Sequence, residues 1–213
     1  MRQVLVYGDS LSWGIIPGTR ERLAFDARWP GIVETKLNDS GLRVRLIEDC
    51  LNGRRTVWDD PFKAGRNGRD GLQQRIEICS PLALVILALG TNDLQFCHPF
   101  NDGWAASQGV AALVGEIRKA PIEPGMPVPP ILIVCPPRAA TPAGMIALKF
   151  RGADARWTGM AAAYAEVAAT LGCHFFDANT VARVSPIDGV HLDADQHALL
   201  GAALAEQVRQ ILG

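Results

Sequence analysis

The stretch Leu82-Ala-Leu-Val-Ile-Leu-Ala-Leu89 decides the fold. Its eight apolar residues run without polar alternation, so a strand here has to be covered on both faces, as in the centre of a parallel sheet. The run is too short to cross a bilayer, which takes roughly 20 residues. Working outward, Val4–Tyr7, Ile131–Cys135 and His174–Phe176 are further strands, and Val44–Ile47 is a weaker fifth. Helical stretches separate them. Pro30 suits a first helical position, and Ile32, Val33 and Leu37 follow before Gly41. Ala105–Lys119 and the alanine-rich Trp157–Leu171 carry helical spacing. Asp193–Leu212 opens with a capping-box-like Asp-x-x-Gln and stripes Leu199, Leu200, Leu204, Val208 and Ile211 along one face. Strands alternating with helices mean βαβ units and a three-layer α/β/α sandwich. Asn52–Arg69 and the proline-rich Pro121–Pro130 lack periodicity. No repeat or composition break marks a second unit, so residues 1–213 are expected to form a single domain.

Composition narrows the partners. The 213 residues are 48% hydrophobic and 20% charged, near globular averages, which excludes wholesale disorder. Lys plus Arg number 21 against 22 Asp plus Glu, a net charge of −1 that offers no electrostatic footprint for nucleic acid or an anionic membrane. The start shows no secretory h-region, so a cytoplasmic location is expected. Five cysteines without C-x-x-C spacing argue against a disulfide framework or a zinc site.

Three stretches carry chemistry. Gly8-Asp9-Ser10-Leu11-Ser12-Trp13-Gly14 follows the first strand and can present the Ser10 hydroxyl at the sheet's edge. It lacks the G-x-S-x-G pattern of α/β-hydrolases and the glycines of a nucleotide loop. Gly90-Thr91-Asn92-Asp93 ends the central strand, where the Asn92 amide would aim at the same edge and act as an oxyanion donor. In Asp188-Gly-Val-His191, two side chains three residues apart in a glycine-containing turn can meet, so that the carboxylate sets the imidazole tautomer. Leu51-Asn52-Gly53-Arg54-Arg55-Thr56 is a weaker fourth stretch, in which Gly53 is either a turn glycine or a close-approach N–H donor. Each alone is also compatible with an ordinary turn or cap.

Together these stretches resemble the four catalytic blocks of the SGNH hydrolases, the GDSL esterase/lipase family, in order over residues 8–191. The resemblance implies a flavodoxin-like SGNH hydrolase fold with a parallel sheet of about five strands. It implies Ser10 as nucleophile, His191 as its base and Asp188 as orienter, with Ser10, Gly53 and Asn92 as the oxyanion hole. Trp13, Arg55-Thr56 followed by Asp59-Asp60-Pro61, and the Asp-Gly-Val-His ending resemble the bacterial arylesterase/acyltransferase subgroup. That subgroup hydrolyses small aryl and short-acyl esters, and some members transfer acyl groups to alcohols or hydrogen peroxide. It implies a small-molecule ester substrate, no metal or organic cofactor, and a homo-oligomer, octamers among the forms. Subgroup likeness and apolar character nominate Leu11, Trp13, Phe150 and Val190 for substrate binding. Arg54, Arg55 and Arg69 read as a solvated or interface face. A carbohydrate deacetylase or lysophospholipase-type esterase would use the same catalytic residues, whereas a flavodoxin-like binding module would have no chemistry.

Overall fold

The computed structural model describes residues 1–213. Five strands form one sheet, β1 (Arg2–Gly8), β2 (Val44–Cys50), β3 (Leu84–Ala88), β4 (Ile131–Cys135) and β5 (His174–Asp177). Their order is β2-β1-β3-β4-β5 and every pairing is parallel. Seven α-helices follow the chain: α1 (Ser10–Trp13), α2 (Trp29–Asp39), α3 (Leu72–Cys79), α4 (Gly103–Lys119), α5 (Ala153–Arg156), α6 (Met160–Thr170) and α7 (Ala194–Leu212).

Alternation along each strand builds the layers. Successive side chains of a strand point to opposite faces. Val4 and Val6 of β1, with Leu84 and Ile86 of β3, pack on Trp29, Val33 and Leu37 of α2 and on Leu200, Leu204 and Val208 of α7. Leu5 and Tyr7, with Val85 and Leu87, face the other way onto Ile76 of α3, Val110, Leu113 and Ile117 of α4, and Tyr164 of α6. The sheet is therefore sandwiched between helical layers, as the uninterrupted apolar run requires. No helix is long and apolar enough to cross a membrane.

Element ends differ from the sequence reading by one to three residues in several places, and one helix is additional. The alanine-rich helix starts at Met160 rather than Trp157, after the separate short α5. The α7 helix starts at Ala194, and the Asp193 side chain caps nothing. Its backbone carbonyl accepts from the His197 N–H, while the Gln196 side-chain Oε1 turns away to accept from the Arg183 N–H at 3.0 Å, so the box does not close. Helix α3 was not anticipated, although Leu72, Ile76 and Cys79 are its buried face. Eight residues without a side-chain cap give a weak periodic signal.

The topology positions the site. The connection after β1 passes through α2 on one face, and the connection after β3 passes through α4 on the other. In such sheets a crevice opens at the strands' C-terminal ends where neighbouring connections part. Ser10 follows β1 and Asn92 follows β3, one on each side of that crevice.

Candidate active site

Ser10 opens α1 directly after β1, with Asp9 as the capping residue whose carboxylate accepts from the Leu11 N–H at 2.9 Å. His191 lies on the turn before α7. That turn approaches its neighbour so closely that Gly189, at φ +75°, has no room for a Cβ, which would fall 2.4 Å from the Thr141 carbonyl oxygen. One Asp188 oxygen accepts from the backbone N–H groups of Val190 and His191, both at 2.9 Å. The other lies 2.7 Å from His191 Nδ1. His191 Nε2 is 3.1 Å from Ser10 Oγ.

The electrostatics set the proton positions. Burial alone would raise the Asp188 pKa, but donation from the His191 ring and from the two backbone N–H groups outweighs it and holds Asp188 at about 2. The ionised carboxylate takes its hydrogen bond from Nδ1–H, which leaves the Nε2 lone pair facing the serine hydroxyl. Ser10, Asp188 and His191 are all buried. Such an array can draw the proton from the serine as its oxygen attacks a carbonyl.

Asn92 stands across the crevice. Its Nδ2 donates to Asp9 Oδ2 at 2.9 Å, and its Oδ1 accepts from Gln95 Nε2 at 2.6 Å. One N–H of the amide is thus held by Asp9, leaving the second for the cavity that Asn92 lines. The backbone N–H groups of Ser10 and Gly53 donate to no acceptor in the protein. Both residues line the same cavity, about 440 Å³ with its mouth included.

The structure brings Ser10, Gly53, Asn92 and His191 to one cavity, with Asp188 behind the histidine. Of the nominated pocket residues only Phe150 lines it. Leu11 and Val190 are turned into the core beneath the sheet's α3–α4–α6 layer. Trp13 is half-buried outside the cavity, with the Arg22 guanidinium 4.8 Å over its ring. The apolar character of Leu11 and Val190 thus serves core packing, whereas Trp13 belongs to neither core layer.

The cavity's other walls were not anticipated: Ile15 and Ile146 are apolar, while Arg20, Asn52, Asp60, Lys63 and Lys149 make the mouth polar. Asn52 and Asp60 fall within quoted stretches without having been nominated for the pocket, and Ile15, Arg20, Lys63, Ile146 and Lys149 sit outside the motifs and share no periodic signal. Arg54 and Arg55 also depart from the solvated reading. Arg54 reaches Asp49 at 2.7 Å and stacks 4.0 Å over the Tyr7 ring. Arg55 is 0% exposed, 3.0 Å from Asp60 and hydrogen-bonded to Gln95 and to the Asn92 carbonyl. Only Arg69 is solvated, paired with Glu116.

A parallel sheet with a serine, a histidine and an aspartate in hydrogen-bonded line at its switch point defines a serine hydrolase of the SGNH fold. The chain belongs to the GDSL-like lipase/acylhydrolase family, whose model matches residues 6–199. It is an ester-hydrolysing enzyme of that family. It is similar over its full length to a carbohydrate acetylesterase family member from Sinorhizobium meliloti, at 36% identity and a TM-score of 0.93, with all of both chains covered. An aryl esterase from M. smegmatis matches at 34% identity and a TM-score of 0.91, and a putative arylesterase from Agrobacterium tumefaciens C58 at 39% and 0.88, again with all of both chains covered. Among proteins of curated function none matched the sequence.

Proposed function

We propose that the enzyme hydrolyses small, short-acyl esters, aryl esters among them, through an acyl-enzyme on Ser10. The observation that carries this reading is the line from Asp188 through His191 to Ser10, with contacts of 2.7 and 3.1 Å. His191 takes the Ser10 proton as Oγ attacks the ester carbonyl, and Asp188 stabilises the imidazolium that forms. The N–H groups of Ser10 and Gly53 and the amide of Asn92 stabilise the tetrahedral oxyanion, each donor contributing about 3–4 kcal/mol. His191 then protonates the leaving alcohol. Water resolves the acyl-enzyme, and an alcohol or hydrogen peroxide entering in its place would give acyl transfer or perhydrolysis. The test is labelling by a fluorophosphonate probe together with a panel of 4-nitrophenyl esters of rising acyl length. Loss of both labelling and turnover in Ser10→Ala supports the reading, and turnover that survives in Ser10→Ala refutes it.

A carbohydrate acetyl ester is the second reading, favoured by the wall of the cavity. Asn52 lines it and has a buried side-chain oxygen with no hydrogen-bond partner, which a sugar hydroxyl would satisfy. Comparing acetylated monosaccharides with phenyl acetate separates the two.

Self-association and a cytoplasmic setting complete the proposal. Phe62, Phe100, Trp104 and Leu148 are 87, 94, 65 and 79% exposed, a supply of apolar surface suited to contact between copies. Five unpaired cysteines suit a reducing compartment. Light scattering that returns a 22.9 kDa species at micromolar concentration would refute the assembly.

A further inference from the structure

Three cations converge on the cavity that holds Ser10. Arg20, Lys63 and Lys149 all line it, and none has a carboxylate within ion-pair distance. The one carboxylate among the mouth residues, Asp60, is already neutralised by the buried Arg55 at 3.0 Å. Of the three, Lys149 lies nearest Gly53. A Cβ placed on Gly53 would lie 4.0 Å from its Nζ and 3.9 Å from Arg66 Nε, so the ammonium stands beside the glycine that supplies an oxyanion N–H. Loss of hydration in the cleft lowers the Lys149 pKa, and Arg55, Lys63 and Arg20 lower it further against the pull of Asp60. Lys63 and Arg20 therefore repel Lys149 across the cleft, in a chain whose formal net charge is only −1. Positive charge lining a cleft with low-dielectric walls focuses the field and raises the local concentration of anions.

We propose that the esters this site prefers carry a carboxylate, bound at the mouth by Arg20, Lys63 and Lys149 while the ester carbonyl sits at Ser10. The proposal rests on the Ser10 esterase reading and adds the charge of its substrate. A carboxylate between the three cations relieves their repulsion, so its binding is stronger than for an equally sized neutral group.

Two matched pairs of substrates test it, one for each end of the ester. Mono-4-nitrophenyl adipate against its methyl ester places the carboxylate on the acyl side, and 4-acetoxybenzoate against methyl 4-acetoxybenzoate places it on the alcohol side. At low ionic strength one charged member is expected to exceed its neutral partner in kcat/KM by about tenfold, corresponding to about 1.4 kcal/mol. The difference should reside in KM and shrink as salt shortens the Debye length. The same ratio should fall towards one in the Arg20→Gln/Lys63→Gln/Lys149→Gln variant. A ratio below about three in both pairs, or a larger one that the triple variant retains, overturns the proposal. Turnover of the neutral esters and fluorophosphonate labelling report on the Ser10 reading separately, so anion preference and esterase activity fail independently.

Discussion

Asn92 Nδ2 donates to Asp9 Oδ2 at 2.9 Å, which joins the ends of β1 and β3 by a single side-chain bond across the crevice. Burial raises the Asp9 pKa to about 6, against the pull of the Leu11 N–H, His191, the Asn92 amide and Arg54, and above that pH the carboxylate accepts from Asn92 as an anion. Asn92→Ala should lower kcat by about 10²–10³ with little change in KM, because the amide acts on the developing oxyanion. Asp9→Asn keeps an acceptor for the Leu11 N–H but sets one amide NH2 against another. It should lower kcat about tenfold, the scale of one charge-assisted hydrogen bond. Steady-state kinetics on both variants check this, and a change confined to KM would contradict it.

Asp188 and Asp193 flank His191, and only Asp188 touches it. Asp188→Asn should reduce kcat by up to about 10⁴ by favouring the wrong imidazole tautomer. Asp193→Asn should keep its activity. Since the Asp193 side chain caps nothing, Asp193→Ala should change stability by no more than about 0.5 kcal/mol. Urea unfolding with kcat measurements decides both points, and a loss of activity in Asp193→Asn alone would reverse the assignment.

Arg55 is enclosed with Asp60, whose side chain is 7% exposed. Burial opposes ionisation of Asp60, yet the Phe62 N–H and the Arg55 guanidinium hold its pKa below the usual carboxylate range. Arg55→Met leaves the Gln95 and Asn92 oxygens without their buried donor and Asp60 without its nearest cation, and should destabilise the fold by about 3–5 kcal/mol. Adding Asp60→Asn should recover part of the loss, because it removes the unpaired charge. An urea midpoint unchanged in Arg55→Met would show the pair to be dispensable.

Stability should fall as pH rises from about 4 to about 7, with His197 offsetting part of the fall below about pH 6.5 because burial lowers its pKa to about 4. Burial raises Asp93 to about 7 despite its bonds from Thr56, and Asp9 is raised in the same direction. The folded protein keeps protons there that the unfolded chain releases, so each such group removes up to about 1.4 kcal/mol per unit of pH over its window. Asp188 acts in the opposite sense: its depressed pKa contributes stability above about pH 4 that is lost as pH falls towards 2. The urea midpoint should be higher at pH 5 than at pH 8, and Asp93→Asn should flatten the difference. Equal midpoints in the parent enzyme would contradict the prediction.

Much of this was legible in the residues. The unalternating Leu82–Leu89 run specified a two-sided parallel strand because a strand buried on both faces has no place for polar side chains. The meeting of Ser10, Asn92, Asp188 and His191 at one edge was readable because a strand end and one short turn bring such residues there. What stayed hidden depends on contacts distant in sequence. Nothing local distinguishes the buried Arg55 from the solvated Arg69, since burial follows from Asp60, Gln95 and the Asn92 carbonyl closing around one of them. Lys63 and Lys149 are far apart in sequence and become neighbours of Ser10 only through loop packing.

Ser10, Gly53 and Asn92 follow three adjacent strands, β1, β2 and β3, whose spacing of about 4.8 Å is a property of peptide hydrogen bonding and not of side-chain identity. The layout of these three proposed oxyanion donors is thus set by the backbone. Arg20, Lys63, Ile146 and Lys149, by contrast, come from connecting segments outside the sheet and its flanking helices. Reaction and recognition are therefore separately replaceable parts. Exchanging the segments around 60–66 and 144–150 for those of another family member offers a way to retarget the enzyme while the reacting centre stays in register.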